Sequence, residues 1–121
     1  PRDRTLSKMG ESHVLLHPSL HDSGGFVCAE MMGIGRPVIC LDLGGPATQV
    51  TAATGIKVPA IDPDRTVQGL AEAIVCLAGD PQLRSRLGKA GRKRVREVYD
   101  WDVKGKFFAQ LCEDIVHQKS G

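Results

Sequence analysis

The sequence has no C-x-x-C pair, no internal repeat, no low-complexity tract and no G-x-S-x-G element. No apolar run approaches the roughly 20 residues that span a bilayer, and no stretch reads as a secretory leader. Membrane contact is therefore expected to be peripheral at most. Sixteen basic against fourteen acidic residues leave a formal charge of +2, too small an excess to argue for a nucleic-acid partner. Cys28, Cys40, Cys76 and Cys112 are widely spaced, each in an apolar or helical run. That spacing fits buried free thiols in a reducing, cytoplasmic setting better than disulfides or a metal site. The first residue is Pro1 rather than methionine, which reads as a processed or trimmed product or a fragment.

What is present suffices for one domain over residues 1–121, since 41% hydrophobic and 25% charged residues are ordinary for a soluble globular chain. HVLLH, residues 13 to 17, is a short apolar run closed by Pro18, and its length and flanks predict a buried strand. The loop PSLHDSGG leads into FVCAEMM, a run of helix formers that GIG, at residues 33 to 35, should terminate. RPVICLDL predicts a second strand with Pro37 at its start, GGPATQV a glycine turn opening a short helix, and GIKVP a third strand. Strands separated by a helix, without a hairpin turn, make a β-α-β unit and a parallel sheet.

The second half reads as helical. Asp62 or Asp64 can cap a helix with apolar positions Val67, Leu70, Ala71, Ile74 and Leu77. Asp80-Pro81 opens another that carries Leu83, Leu87, Ala90 and Val95. Trp101 to His117 predicts a last helix burying Val103, Phe107, Leu111 and Ile115, with Trp101 as a core anchor. Arg84, Arg86, Lys89, Arg92, Lys93, Arg94 and Arg96 form a basic run. It reads as a solvated face opposite the apolar side, with docking on acidic lipid as the alternative. The fold class is thus α/β: a partial Rossmann-like unit with a parallel sheet of about three strands, flanking helices and a helical C-terminal tail.

LHDSGGF, residues 20 to 26, contains letters found around the nucleophile of trypsin-like proteases. A triad needs a histidine base and a buried aspartate, and the parallel α/β setting of Ser23 supplies no place for either. His17 and His21 are spaced like a metal pair on a helix, but Pro18 between them excludes a regular helix. No metal site is expected. A glycine loop between a parallel strand and a helix has another use. The first helical amides lack internal acceptors, the helix dipole is positive there, and Gly24 and Gly25 let an anion approach the backbone. Ligands of open parallel sheets bind at the carboxyl ends of strands, where this loop lies. Asp22 precedes the glycines and Glu30 lies about two turns into the helix, so both could accept hydrogen bonds from sugar hydroxyls. The plainer reading makes Asp22 a helix cap and Glu30 a solvated charge.

HPSLHDSGGFVCAEMMGIGRPVICLDLGG resembles the nucleotide-sugar-binding half of GT-B glycosyltransferases of the "glycosyl transferases group 1" type. That pattern runs P-S, an acidic residue, seven residues, Glu, A-M-A-x-G-x-P-V-I and a G-G turn. Here it is Pro18-Ser19, Asp22, Glu30, Met31-Met32, Gly35, Pro37-Val38-Ile39 and Gly44-Gly45. The similarity continues through Gly55, Val58, Asp62, Asp80-Pro81 and Tyr99-Asp100-Trp101-Asp102. It departs at Asp22, usually glutamate, at Gly24, usually bulky, and at Thr48, where an acidic residue is common.

The resemblance implies that Asp22 contacts donor-sugar hydroxyls as the catalytic-position residue. It gives the amides of Gly24, Gly25 and Phe26 to the diphosphate and Glu30 to the ribose, with Gly44 and Gly45 bordering the donor site. It implies retaining, metal-independent transfer from a nucleotide-diphosphate sugar, with no further cofactor. It also implies that about three more strands of the doubly wound sheet, and an acceptor domain, lie outside these residues. The chain alone is then expected to be inactive, to need that N-terminal part or a partner chain, and to self-associate through the strand edge at Val14 to Leu16. The alternative is a non-catalytic α/β nucleotide- or phosphate-binding or assembly module.

Overall fold

The computed structural model describes Arg4 and residues 11–21 and 26–120. Three strands, β1 (Leu15–His17), β2 (Val38–Leu41) and β3 (Gly55–Val58), form one parallel sheet in the order β1-β2-β3. Between them lie α1 (Phe26–Gly33) and α2 (Gly44–Gln49). After the sheet come α3 (Pro63–Ala78), α4 (Pro81–Arg94), a π-helical turn (Val95–Tyr99) and α5 (Trp101–Ser120). The β-α-β reading and the helical second half both hold.

The register explains the two cores. Leu15, Val38 and Gly55 are aligned, as are Leu16, Ile39 and Ile56. Side chains alternate across a strand, so Val38 and Cys40 point to one face and Ile39 and Leu41 to the other. On the first face Val38 and Cys40 meet Cys28, Met31, Met32 and Val50. On the second, Ile39, Leu41 and Val58 meet Ala73 and Leu77 of α3 and Leu87 of α4. All four residues of β2 are buried, as a central parallel strand requires.

Helix α1 ends where the glycines direct. Gly35 has φ of 79°, the Arg36 amide donates to the Met31 carbonyl at 3.0 Å, and the Gly35 amide to Met32 at 3.0 Å. This is a Schellman closure, and its left-handed position is one that glycine takes without strain. The turn then admits α4 at very short range. Gly88 lies against the Gly35 carbonyl and Gly91 against Met32. Helix α4 thus starts beside α3, passes under the amino ends of the strands and finishes against α1 and α2. Asp62 and Asp80 cap α3 and α4, accepting from the amides of Arg65 at 2.8 Å and Leu83 at 2.9 Å, each with proline at the first helical position.

Four expectations need correction. β1 is not buried on both sides: Leu16 is 42% exposed, because among the described residues no strand pairs with its outer edge. In α3 the buried residues are Ala73 and Leu77, while Val67, Ala71 and Ile74 are exposed. The helix meets the sheet on a narrower stripe than its periodicity suggests. Helix α5 buries none of its predicted residues; Val103, Phe107, Leu111 and Ile115 are exposed, and Trp101 is 89% exposed. Its main neighbour is the π-helical turn, and among the described residues no second layer covers its apolar side. In that turn Tyr99 lies between the cations of Arg94 and Lys104, 5.6 and 5.5 Å from its ring centre.

The cysteines divide as well. All four are free thiols, but only Cys28 and Cys40 are buried; Cys76 and Cys112 are exposed on α3 and α5. Burial pushes the Cys40 thiol from the ordinary 9.0 up to about 11, with nearby Lys57 opposing and Asp42 adding to the shift. The neutral thiol is therefore favoured in the fold: its contribution to stability is complete below pH 9.0 and is lost as pH rises through about 11. At pH 8 an aromatic disulfide reagent should titrate two thiols in the native chain and four after denaturation. Four reactive thiols in the native state would show that the first-face core is not closed.

Candidate functional site

Two loops share the carboxyl end of the sheet. The first leaves β1 at His17 and enters α1 at Phe26; the second leaves β2 at Leu41 and enters α2 at Gly44. Asp22, Ser23, Gly24 and Gly25 lie outside the described residues. The remaining residues named from the sequence are placed. Phe26 is the first residue of α1 and is 78% exposed. Glu30 lies one turn further on, also exposed, while Cys28, Met31 and Met32 face the core. The helix therefore turns Glu30 to solvent because its neighbours in sequence are needed for packing.

Gly44 and Gly45 form the first residues of α2, Gly44 with φ of 60° and Pro46 buried behind them. Leu43, the capping residue, is extended and gives no side-chain hydrogen bond. Helices α1 and α2 pack against each other on the same face of the sheet. Consequently the structure brings Phe26 and Glu30 to the same end and face as Gly44 and Gly45. Thr48, near the end of α2, is exposed and donates to the Gly44 carbonyl at 3.4 Å.

The sequence reading overlooked one cation at this end. Lys57 of β3 donates from Nζ to the Ala47 carbonyl at 3.2 Å and lies 4.0 Å from the Asp42 carboxylate. It ties α2 to the neighbouring strand and sets the position of the Gly44-Gly45 turn. No local pattern marks it; only the Cys40 to Lys57 register places it beneath that helix. A separate cleft of about 360 Å³ also opens at the carboxyl end, between Pro18 and Leu20 after β1 and Ile61 to Thr66 at the start of α3. It is on the α3 face, opposite Glu30. Among the described residues no group of three or more His, Cys, Asp or Glu could hold a metal ion.

Three short parallel strands, with α1 and α2 opening at their carboxyl ends and further helices packed beside them, match the Rossmann-like C-terminal half of a GT-B architecture. The chain belongs to the glycosyl transferases group 1 family, which it matches over residues 2–94. It is 37% identical over 89 residues to a GDP-mannose-dependent monoacylated alpha-(1-6)-phosphatidylinositol monomannoside mannosyltransferase of Corynebacterium glutamicum. That match covers 74% of this chain and 22% of the relative. A glycogen synthase of Mycobacterium tuberculosis is 30% identical over 107 residues, covering 88% of this chain and 25% of the relative. Among solved structures, the sucrose-phosphate synthase of Thermosynechococcus elongatus superposes with a TM-score of 0.78 and 31% identity. It covers 92% of this chain and 27% of that one. The chain thus spans about a quarter of the length of the relatives it matches. Among the described residues no helix is long and apolar enough to cross a membrane.

Proposed function

We propose that the chain is the donor-binding part of a retaining, metal-independent glycosyltransferase that uses a nucleotide-diphosphate sugar. The observation that carries this is that α1 and α2 both open at the carboxyl end of one parallel sheet and pack on the same face, with Phe26, Gly44 and Gly45 at their starts and Glu30 exposed on α1. In this reading the free amides at the start of α1, those of Gly24, Gly25 and Phe26, hold the diphosphate. Their partial positive charge stabilises the negative charge that grows on the leaving group as the glycosidic bond to it breaks. Asp22 holds the sugar hydroxyls, Glu30 the ribose, and Gly44 and Gly45 close the other side. The similarity to the corynebacterial enzyme, whose name specifies a GDP-sugar donor, supports a nucleotide-sugar ligand.

The rest of such an enzyme would bind the acceptor, and two surfaces of this chain suit its attachment. One is the apolar cleft of about 500 Å³ between α3 and the edge of β1 that is unpaired among the described residues, lined by Val14, Leu16, Ile39 and Ile74. The other is the exposed apolar side of α5. Without that remainder the chain is expected to be inactive in transfer and to self-associate through these surfaces. A cytoplasmic location goes with this reading, since its donor and its free thiols belong to that compartment.

The test is calorimetric titration of the chain with UDP-, GDP- and ADP-sugars. Saturable binding of one nucleotide class, with no release of free sugar, is the expected outcome. Absence of binding to all three, in a chain that forms a stable oligomer, would favour a non-catalytic assembly module instead.

A further inference from the structure

The structure divides the basic run of α4 among different tasks. Arg94 donates from Nε to the Gln49 carbonyl at 2.8 Å and from Nη2 to Thr48 at 3.1 Å, pinning α4 to the end of α2. Lys93 lies 3.8 Å from Glu97. Arg84 donates from Nη1 to the carbonyls of Leu77 and Ala78, at 2.6 and 3.0 Å, closing the end of α3. Lys89 and Arg92 do none of this: among the described residues neither forms an ion pair or side-chain hydrogen bond.

Arg84, Lys89 and Arg92, with Arg36 and His13, line a groove of about 320 Å³ between α4 and the turn from Ile34 to Pro37. No acidic residue is among its described lining residues. The groove lies at the amino end of the strands, the opposite end of the sheet from the donor loops. Its shape follows from backbone packing. The contact of Gly88 with the Gly35 carbonyl holds α4 against the turn that carries Arg36, so these charges cannot move apart without losing the core. Helix α4 contains six cations and no carboxylate of its own, and among the described residues only Lys93 of these has an acidic partner, Glu97; the remaining like charges cost stability through repulsion. A dianion in the groove would remove that repulsion and gain charge-assisted hydrogen bonds. Arg84 is already oriented by its two carbonyl partners, so little side-chain entropy is lost in using its remaining donors.

We propose that this groove binds a small phosphorylated molecule, its phosphate held by Arg84, Lys89 and Arg92 beside Arg36. Its volume, at the low end of small-molecule sites, suits a monoester rather than an extended polyanion. The site is separate from the donor loops and stands whether or not the donor reading does.

Backbone amide NMR of the chain, titrated with inorganic phosphate at constant ionic strength against sodium chloride, tests it. Saturable shifts at the amides of Gly35, Ser85 and Lys89 are expected with phosphate and not with chloride. In the Lys89→Gln/Arg92→Gln double variant that affinity should fall by at least about tenfold, the scale of one charge-assisted hydrogen bond. Both side chains are exposed, so an unchanged thermal melt will verify that the variant is folded. Shifts at the Phe26 amide would report the donor loop and should persist in the variant. Equal shifts with chloride, no saturation, or shifts indifferent to the double variant would each overturn the proposal. A parallel titration with phosphatidylglycerol vesicles separates the source: broadening of these amides by vesicles alone would replace the soluble ligand with a lipid surface.

Discussion

Replacing Gly88 by alanine is expected to destabilise the chain, although the same change in an open helix is favourable. Alanine in place of glycine gains about 1 kcal/mol of intrinsic helix propensity. At position 88, however, the new Cβ would overlap the Gly35 carbonyl oxygen and lie 2.9 Å from its carbon. Neither obstacle is a side-chain end that can rotate away; both belong to the turn that closes α1. Overpacking of this kind costs roughly 3 kcal/mol or more, so a net loss of about 2 kcal/mol remains after the helix gain. For a chain of this size that lowers Tm by roughly 8 °C. Gly105→Ala supplies the control, because a Cβ there meets nothing within 4 Å. The two variants should therefore move the melting temperature in opposite directions. If Gly88→Ala is neutral or stabilising, α4 does not pack against the Gly35 turn, and the groove formed by that contact goes with it.

Glu30→Ala is expected to weaken nucleotide-sugar binding severely while leaving the fold unchanged. Each hydrogen bond that a carboxylate accepts from a ribose hydroxyl contributes roughly 1.5–3 kcal/mol, so the loss should be at least about tenfold in affinity. Glu30 is exposed and packs in neither core, so its removal should alter stability by no more than about 0.5 kcal/mol. Calorimetry with the best-binding donor, paired with thermal melts of both proteins, separates the two quantities. A further comparison sharpens the assignment: the loss should be much smaller for a nucleotide whose ribose hydroxyls are absent. Unaltered affinity in Glu30→Ala would return this residue to the role of a solvated charge. A matching loss of affinity and melting temperature would instead mark a structural role.

Much of this architecture could be read directly. Glycine and proline punctuate the chain where the backbone turns: Gly35 and Gly44 take left-handed φ, and Pro63 and Pro81 open helices behind capping aspartates. Strand β2 is as long as its apolar run Val38–Leu41, because a parallel strand covered on both faces needs continuous apolar residues. The family motif was legible because its residues lie close together, between Pro18 and Gly45.

What the sequence by itself determined, then, was the order of elements, the parallel connection and the family, since each depends on short-range patterns of a few residues. Only the tertiary structure decided which side of each helix is covered. The apolar positions of α3 and α5 repeat at helical spacing, yet Ile74, Phe107 and Leu111 are exposed. Periodicity defines a face without naming the surface that meets it. Likewise no local pattern couples Lys57 to Ala47, or brings Lys89 and Arg92 of α4 beside Arg36. Those juxtapositions arise from strand register and from the Gly35–Gly88 contact, which join residues far apart in the chain.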